Sequence, residues 1–282
     1  MTLLASFLPP MQTMSRALTA IALLSLTVAM PAVAQNTYAP PGDTLRFRET
    51  QKTGVVMTMP QGEFQASVDL DATMAVLRMP GDSARAWFES LSLVSQSQQG
   101  EQKPPTDEVL HKPFRLTFDA RGRVKLVEAP TFPEALAGFG DLSNEFTDLF
   151  LRLPAKPLRV GLTWTDTLTR ADSTADRKIS ATAITDYKVD KDTVANGASA
   201  LLVRFTQRAT IHAEQPVPGQ PGLRSDATLE GNSTGLYLFA PKPGRMLARR
   251  RTGKLSGDVN IASAGMTMKQ AIDYTNTVDA VK

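Results

Sequence analysis

The chain is predicted to be mainly β: a curved antiparallel sheet or open half-barrel of about ten strands, with one amphipathic helix on the concave face. Three observations predict it. From Glu63 to Val76, the apolar residues Phe64, Ala66, Val68, Leu70, Ala72, Met74 and Val76 alternate with Glu63, Gln65, Ser67, Asp69, Asp71, Thr73 and Ala75. Strand side chains alternate between faces, so this is one strand with a face on a core and a face in water. It is about twice the usual strand length of roughly 5–6 residues, and long strands coil with the twist of the sheet. The second observation is that Pro, Gly and Asp clusters separate several such alternating runs, and the third is that only residues 133–153 carry a helical period.

In chain order, a Pro-rich leader, Tyr38 to Gly42, precedes a strand from about Thr44 to Met59, and Pro60, Gln61 and Gly62 turn it into the long strand. Met79 to Ser83 supplies a second turn. Ala84 to Gln96 reads as a strand, although Ala84, Trp87, Phe88 and Leu91 also suit a helix behind an Asp82 or Ser83 cap. Ser97 to Lys112 reads as a loop, and Phe114 to Phe118 with Val124 to Glu128 as a hairpin. The helix then follows, with Thr131 as cap, Pro133 in the first turn, and Leu136, Phe139, Leu142, Phe146, Leu149, Phe150 and Leu153 at three-or-four spacing before Pro154. Lone among strands, it must bury that stripe on the sheet.

From Val160 the first pattern starts again, about 118 residues on. Gly42-Asp-Thr-Leu45 is echoed by Gly161-Leu-Thr-Trp164, the first hairpin by Lys178 to Val189 and Ala200 to Ala213, and Phe114 to Phe118 by Gly235 to Phe239. The expected organisation is one β-rich domain over residues 35–282, an internal duplication of 43–130 and 160–282 joined by helix 133–153. A final hairpin, Leu255 to Ile261 and Met266 to Val278, puts Met266, Met268, Ile272, Tyr274 and Val278 on one face.

Residues 1–34 read as a targeting segment. Arg16, the apolar run Ala17 to Met30 and the A-x-A site Ala32-Val33-Ala34 are the parts of a Sec-type signal peptide cleaved after Ala34, which implies a periplasmic or secreted protein. The apolar run falls short of the ~20 residues of a transmembrane helix, and no later segment reaches it, so no integral membrane protein is expected. The 282-residue chain has a net charge of +3, or +2 without residues 1–34. That balance gives nucleic acid no basic stripe to bind. With no cysteine there is no lipid-attachment site, thiol nucleophile, disulfide or thiolate metal site.

The tandem Gly-x-x-Leu/Trp openings, the Asp/Pro-x-x-Gly hairpins and the export signal resemble an uncharacterised family of bacterial exported β-rich proteins. The architecture of about ten long antiparallel strands plus one apolar helix is similar to the lipoprotein-carrier fold of LolA and LolB. That likeness implies a curved half-barrel holding helices and an acyl chain in its concavity.

Chemistry-bearing clusters are few. His111 and His212 stand alone, there is no G-x-S-x-G elbow, and Asp69-x-Asp71 points to the solvent face of its strand. Asp172, Asp176, Asp190 and Asp192 lie near turns without a calcium-loop spacing. No enzyme, cofactor or metal is expected. Between Lys242 and Lys254, six of thirteen residues are basic and none acidic. Arg249 and Arg251 share one face, Arg250 and Lys254 the other. Arg249, Arg250 and Arg251 are candidates for an anionic surface, with protection of an edge strand as the alternative. Met57, Met59, Met74, Met246, Met266 and Met268 suit either core filling or an adaptable apolar surface. The expected function is carriage of a lipid or acylated ligand, lined by Leu142, Phe146 and Phe150 from the helix and by Val68, Leu70 and Met74 opposite. The alternative is an envelope module that meets a protein partner and holds no ligand.

Overall fold

The computed structural model describes residues 37–38, 42–139, 142–173, 177–195, 197–216 and 223–281. The signal segment lies outside them, as does Asp176. Contacts divide the chain into Met1–Val33 and the compact unit Ala34–Lys282.

That second unit is built on one antiparallel sheet. Its strands are β1 (Thr44–Met59), β2 (Gly62–Met79), β3 (Ser83–Ser97), β4 (Gly100–Gln102), β5 (Phe114–Phe118), β6 (Val124–Glu128), β7 (Thr163–Ser173), β8 (Lys178–Ala195), β9 (Ala198–Pro216), β10 (Arg224–Ala240), β11 (Arg245–Ile261) and β12 (Met266–Val281). The spatial order is β6-β5-β3-β2-β1-β12-β11-β10-β9-β8-β7, with β4 beside β3. Two meanders therefore meet where β12 pairs with both β1 and β11. The ambiguous stretch after Ser83 is a strand, and β1, β5 and β6 begin and end at the expected residues.

The sheet does not close into a barrel, but it curls strongly. β5 and β10 are six steps apart in the strand order, about 29 Å in a flat sheet at ~4.8 Å per step. Yet one ring, Tyr38, touches both Phe118 of β5 at 5.3 Å and Phe239 of β10 at 5.4 Å. Glycines shape part of the bend. Along the β10–β11 pair, Gly257, Gly231, Gly253 and Gly235 occupy successive rows of the inner face, alternately on one strand and the other. A Cβ at Gly235 would strike the Arg250 carbonyl and the Phe205 ring, and one at Gly231 the Lys254 carbonyl. Only glycine lets the backbones approach so closely.

In place of the single helix expected over 133–153, the described residues there form two short pieces, a 3-10 turn Glu134–Phe139 and one α turn, α1 (Asn144–Thr147). The reason is burial on several sides. Leu149, Phe150 and Leu151 are consecutive and at most 3% exposed, which a single helical stripe on a sheet does not produce. The chain here runs through the curl of the sheet. Phe146 packs on Phe88 and Phe114 at 4.8 and 4.7 Å, and Phe150 on Phe118 and Phe47 at 4.5 and 5.6 Å. We call residues 129–162 the crossover, because they carry the chain from one sheet edge to the other. Leu153 N–H donates to the Arg121 carbonyl, the Trp164 indole to the Arg152 carbonyl, and Asp166 of β7 takes Arg152 at 2.8 Å and Arg123 at 3.2 Å.

Candidate functional site

The inner face has three zones, read from the register in successive rows. The first is filled by the crossover. Phe47, Met74, Phe88, Phe114, Phe118, Phe239 and Met246 form one buried cluster with Leu136, Leu142, Phe146, Leu149, Phe150, Leu151 and Leu153. Tyr38 is part of it; its hydroxyl donates to the Leu151 carbonyl, and burial raises its pKa well above the ordinary phenol range.

An ionic centre lies inside this zone. Arg249 and Glu49 are 3% and 0% exposed. The guanidinium donates to Glu49 Oε1 at 3.1 Å, to Asn276 Oδ1 at 2.8 Å and to the Asp148 carbonyl of the crossover. Asn276 also donates to Glu49 Oε1. Glu49 Oε2 has no donor among these groups. Its neighbour is Glu145 of α1, half-buried, whose carboxyl is pushed well above the usual range by desolvation first and by Glu49 second, against the pull of Arg249. Two carboxyls can hydrogen-bond only if one keeps its proton. The raised pKa of Glu145 favours the proton there, and Arg249 is paired with Glu49 at 3.1 Å.

The second zone is a polar belt just beyond the crossover. Thr185, Gln207, Ser233, Tyr274 and Thr53 succeed one another on neighbouring strands, with Gly253 between Ser233 and Tyr274. Arg251 reaches into it, donating to Gln207 Oε1 at 2.5 Å and Ser233 Oγ at 3.2 Å, with its guanidinium 5.0 Å from the Tyr274 ring centre. A Cβ at Gly253 would meet that ring. Between the belt and the crossover is a space of about 30 Å³ bounded by Asp148, Arg152, Leu168, Thr185, Gln207 and Arg251, among others.

The third zone is apolar. Leu168, Ala183, Ala209, Gly231, Leu255, Ile272, Val55 and Ala66 form one row across eight strands, and all are half-buried. At its far end Val259, Ile261 and Met268 gather Met57, Met59 and Met266. Met57, Met59, Met266 and Met268 thus sit here, while Met74 and Met246 are core.

The outer face is polar, and the larger concavities are on it. Two shallow grooves of about 750 and 770 Å³ meet at Thr234 and Thr252. Their outward side chains include Thr163, Thr206, Thr275, Lys52 and the ion pair Lys254–Asp273 at 3.1 Å. His212 lies on this face with Nδ1 3.0 Å from Thr228 Oγ1. No group of three His, Asp or Glu among the described residues could hold a metal ion. No helix among them is long and apolar enough to cross a membrane.

The expected site residues are distributed otherwise than the sequence suggests. Leu70, Met74, Leu142, Phe146 and Phe150 are all 6% exposed or less and pack together, so they form the interior of the filled zone, and of the five only Phe150 borders a space, the one of about 30 Å³ beside Arg251. Val68 is half-buried beyond it. The expectation that Arg249, Arg250 and Arg251 form one anionic surface is corrected. Arg249 is buried, Arg251 is on the inner face, and Arg250 alone faces outward, held by Asp279 at 2.7 Å and the Val278 carbonyl at 2.8 Å. A bulge is the cause: Leu238 pairs with Ala248 and Phe239 with Met246, so Leu247 is extra and Arg249 and Met246 share a face. Edge protection is no role for them either, because β11 is interior to the sheet. Glu49 and Glu145 were not foreseen, since neither has a local signal.

No family model matches the chain, and no curated protein matches it. Among solved structures it is similar to Neisserial surface protein A, 9% identical with a TM-score of 0.25 over 85% of this chain and 100% of that one. It is also similar to an outer membrane channel from Pseudomonas putida F1, 8% identical with a TM-score of 0.20 over 88% and 98% of the two chains.

Proposed function

We propose that the chain is an exported carrier and not an enzyme, receiving an elongated apolar ligand, a lipid or an acylated molecule, in the third zone of the inner face. The half-buried apolar row from Leu168 to Ala66 carries this reading. Its strands satisfy one another's backbone groups, so an occupant there needs no hydrogen-bonding capacity of its own. Its small residues, Ala183, Ala209 and Gly231, leave width, and Met57, Met59 and Met268 adapt to shape. The polar outer face supports carriage over membrane insertion, because a lipid-facing barrel turns an apolar band outward. The crossover acts as a fixed floor in place of the expected helix.

The test is displacement of a fluorescent fatty acid by oleate, comparing the chain with Leu255→Asp and Ile272→Asp. Saturable binding near one equivalent, lost in both variants with cooperative unfolding retained, is the expected result. Absence of binding to the unaltered chain removes the reading. A second reading, an envelope module that docks a protein partner, is favoured by the filled zone beneath the crossover and by the outer grooves, and it would then stand in its place.

A further inference from the structure

We propose that Arg251 is the head-group receptor of this site, and that the ligand it selects is a long-chain fatty acid with its carboxylate free; this rests on the carrier reading above.

Arg251 differs from every guanidinium around it in what balances its charge. Arg249 has Glu49, Arg250 has Asp279, Arg152 has Asp166 at 2.8 Å and Arg170 has Asp148 at 2.5 Å. Arg251 has neutral acceptors only: no carboxylate lies within 4.0 Å of it among the described residues, and its partners are an amide oxygen, a hydroxyl and an aromatic face. A half-buried guanidinium held in place by neutral groups keeps an unspent preference for an anion, and it offers a planar fork to carboxylate.

Its position gives that anion a tail. On β11, Arg251 is followed on the same face by Gly253, Leu255, Gly257 and Val259. From Arg251 to Val259 the strand advances about 26 Å at ~3.3 Å per residue, the length of a long acyl chain, and it ends at Met268 and Ile261. The space of about 30 Å³ beside Arg251 limits the head. A space that small suits a carboxylate better than a bulkier glycerophosphate. Asp148 borders the same space, but its charge is taken by Arg170.

The experiment measures binding of oleate, oleyl alcohol and oleoyl lysophosphatidate to the unaltered chain, to Arg251→Gln and to Arg251→Lys, with thermal unfolding of each. The expected pattern is oleate at least tenfold tighter than either competitor, a ratio near one for Arg251→Gln with alcohol affinity unchanged, and partial return of the preference in Arg251→Lys. An oleate preference that survives Arg251→Gln in a cooperatively folded variant overturns the assignment and leaves carriage standing. Equal or tighter binding of the phosphate or the alcohol by the unaltered chain overturns the fatty-acid selection. Failure of all three ligands to bind overturns the carrier reading itself.

Discussion

Replacing Arg249 with Met should be among the most damaging single changes available on β11. Three interactions vanish together: those with Glu49 Oε1 at 3.1 Å, Asn276 Oδ1 at 2.8 Å and the Asp148 carbonyl. Glu49, fully buried, is left without its counter-ion and beside a second carboxyl. Breaking a buried pair from one side costs about 3–5 kcal/mol. For a unit of this size, at about 2–4 °C per kcal/mol, the midpoint should fall by roughly 6–20 °C. Glu49→Gln added to Arg249→Met removes the stranded charge and should recover part of the loss, a coupling that a double-mutant cycle isolates. The assay is urea unfolding of the four proteins at neutral pH. A loss under about 1 kcal/mol for Arg249→Met, the range of solvent-exposed pairs, would refute burial of the centre.

Phe146→Ala should cost about 3–5 kcal/mol, because a fully buried ring between Phe88 and Phe114 leaves a cavity; calorimetry checks it. Gly235→Val should unfold or sharply destabilise the unit, since its Cβ would meet the Arg250 carbonyl, whereas Gly54→Ala meets nothing within 4 Å and should be neutral or stabilising; parallel thermal melts show which. Glu145 holds its proton more tightly in the fold than unfolded, so its contribution is complete below the unfolded carboxyl range and is lost as pH rises through its raised folded value. Glu145→Gln should flatten that part of the stability–pH curve, and a slope unchanged from the parent protein would count against the shared proton.

Much of the sheet was legible because period two is a local signal. Leu70, Ala72, Met74 and Val76 are buried as the alternation of β2 requires. Residues 133–153 misled because spacing of three and four records which residues are buried without recording by what. Surrounded by sheet, a segment with Gly138 and a run of Asp, Ser and Asn gains its stability from contacts on several sides and needs no continuous helix. Glu49 was invisible for another reason. It sits in the polar-looking run Arg48 to Lys52, and its partner Arg249 is 200 residues away. The faces of Arg249 and Arg251 were paired correctly, but one extra residue at Leu247 decided which face is inside, and bulges leave no trace in an alternation count. Arg251 stood out by charge alone; its lack of an acidic partner is a property of the folded rows.

Methyl NMR of the chain titrated with oleate tests the central claim most directly. The predicted result is saturable shifts at Leu168, Leu255, Ile272, Val55, Met57 and Met268, with Leu136, Leu149 and Leu151 in the filled zone unmoved. Shifts confined to the filled zone, or none at all at saturating oleate, would contradict it.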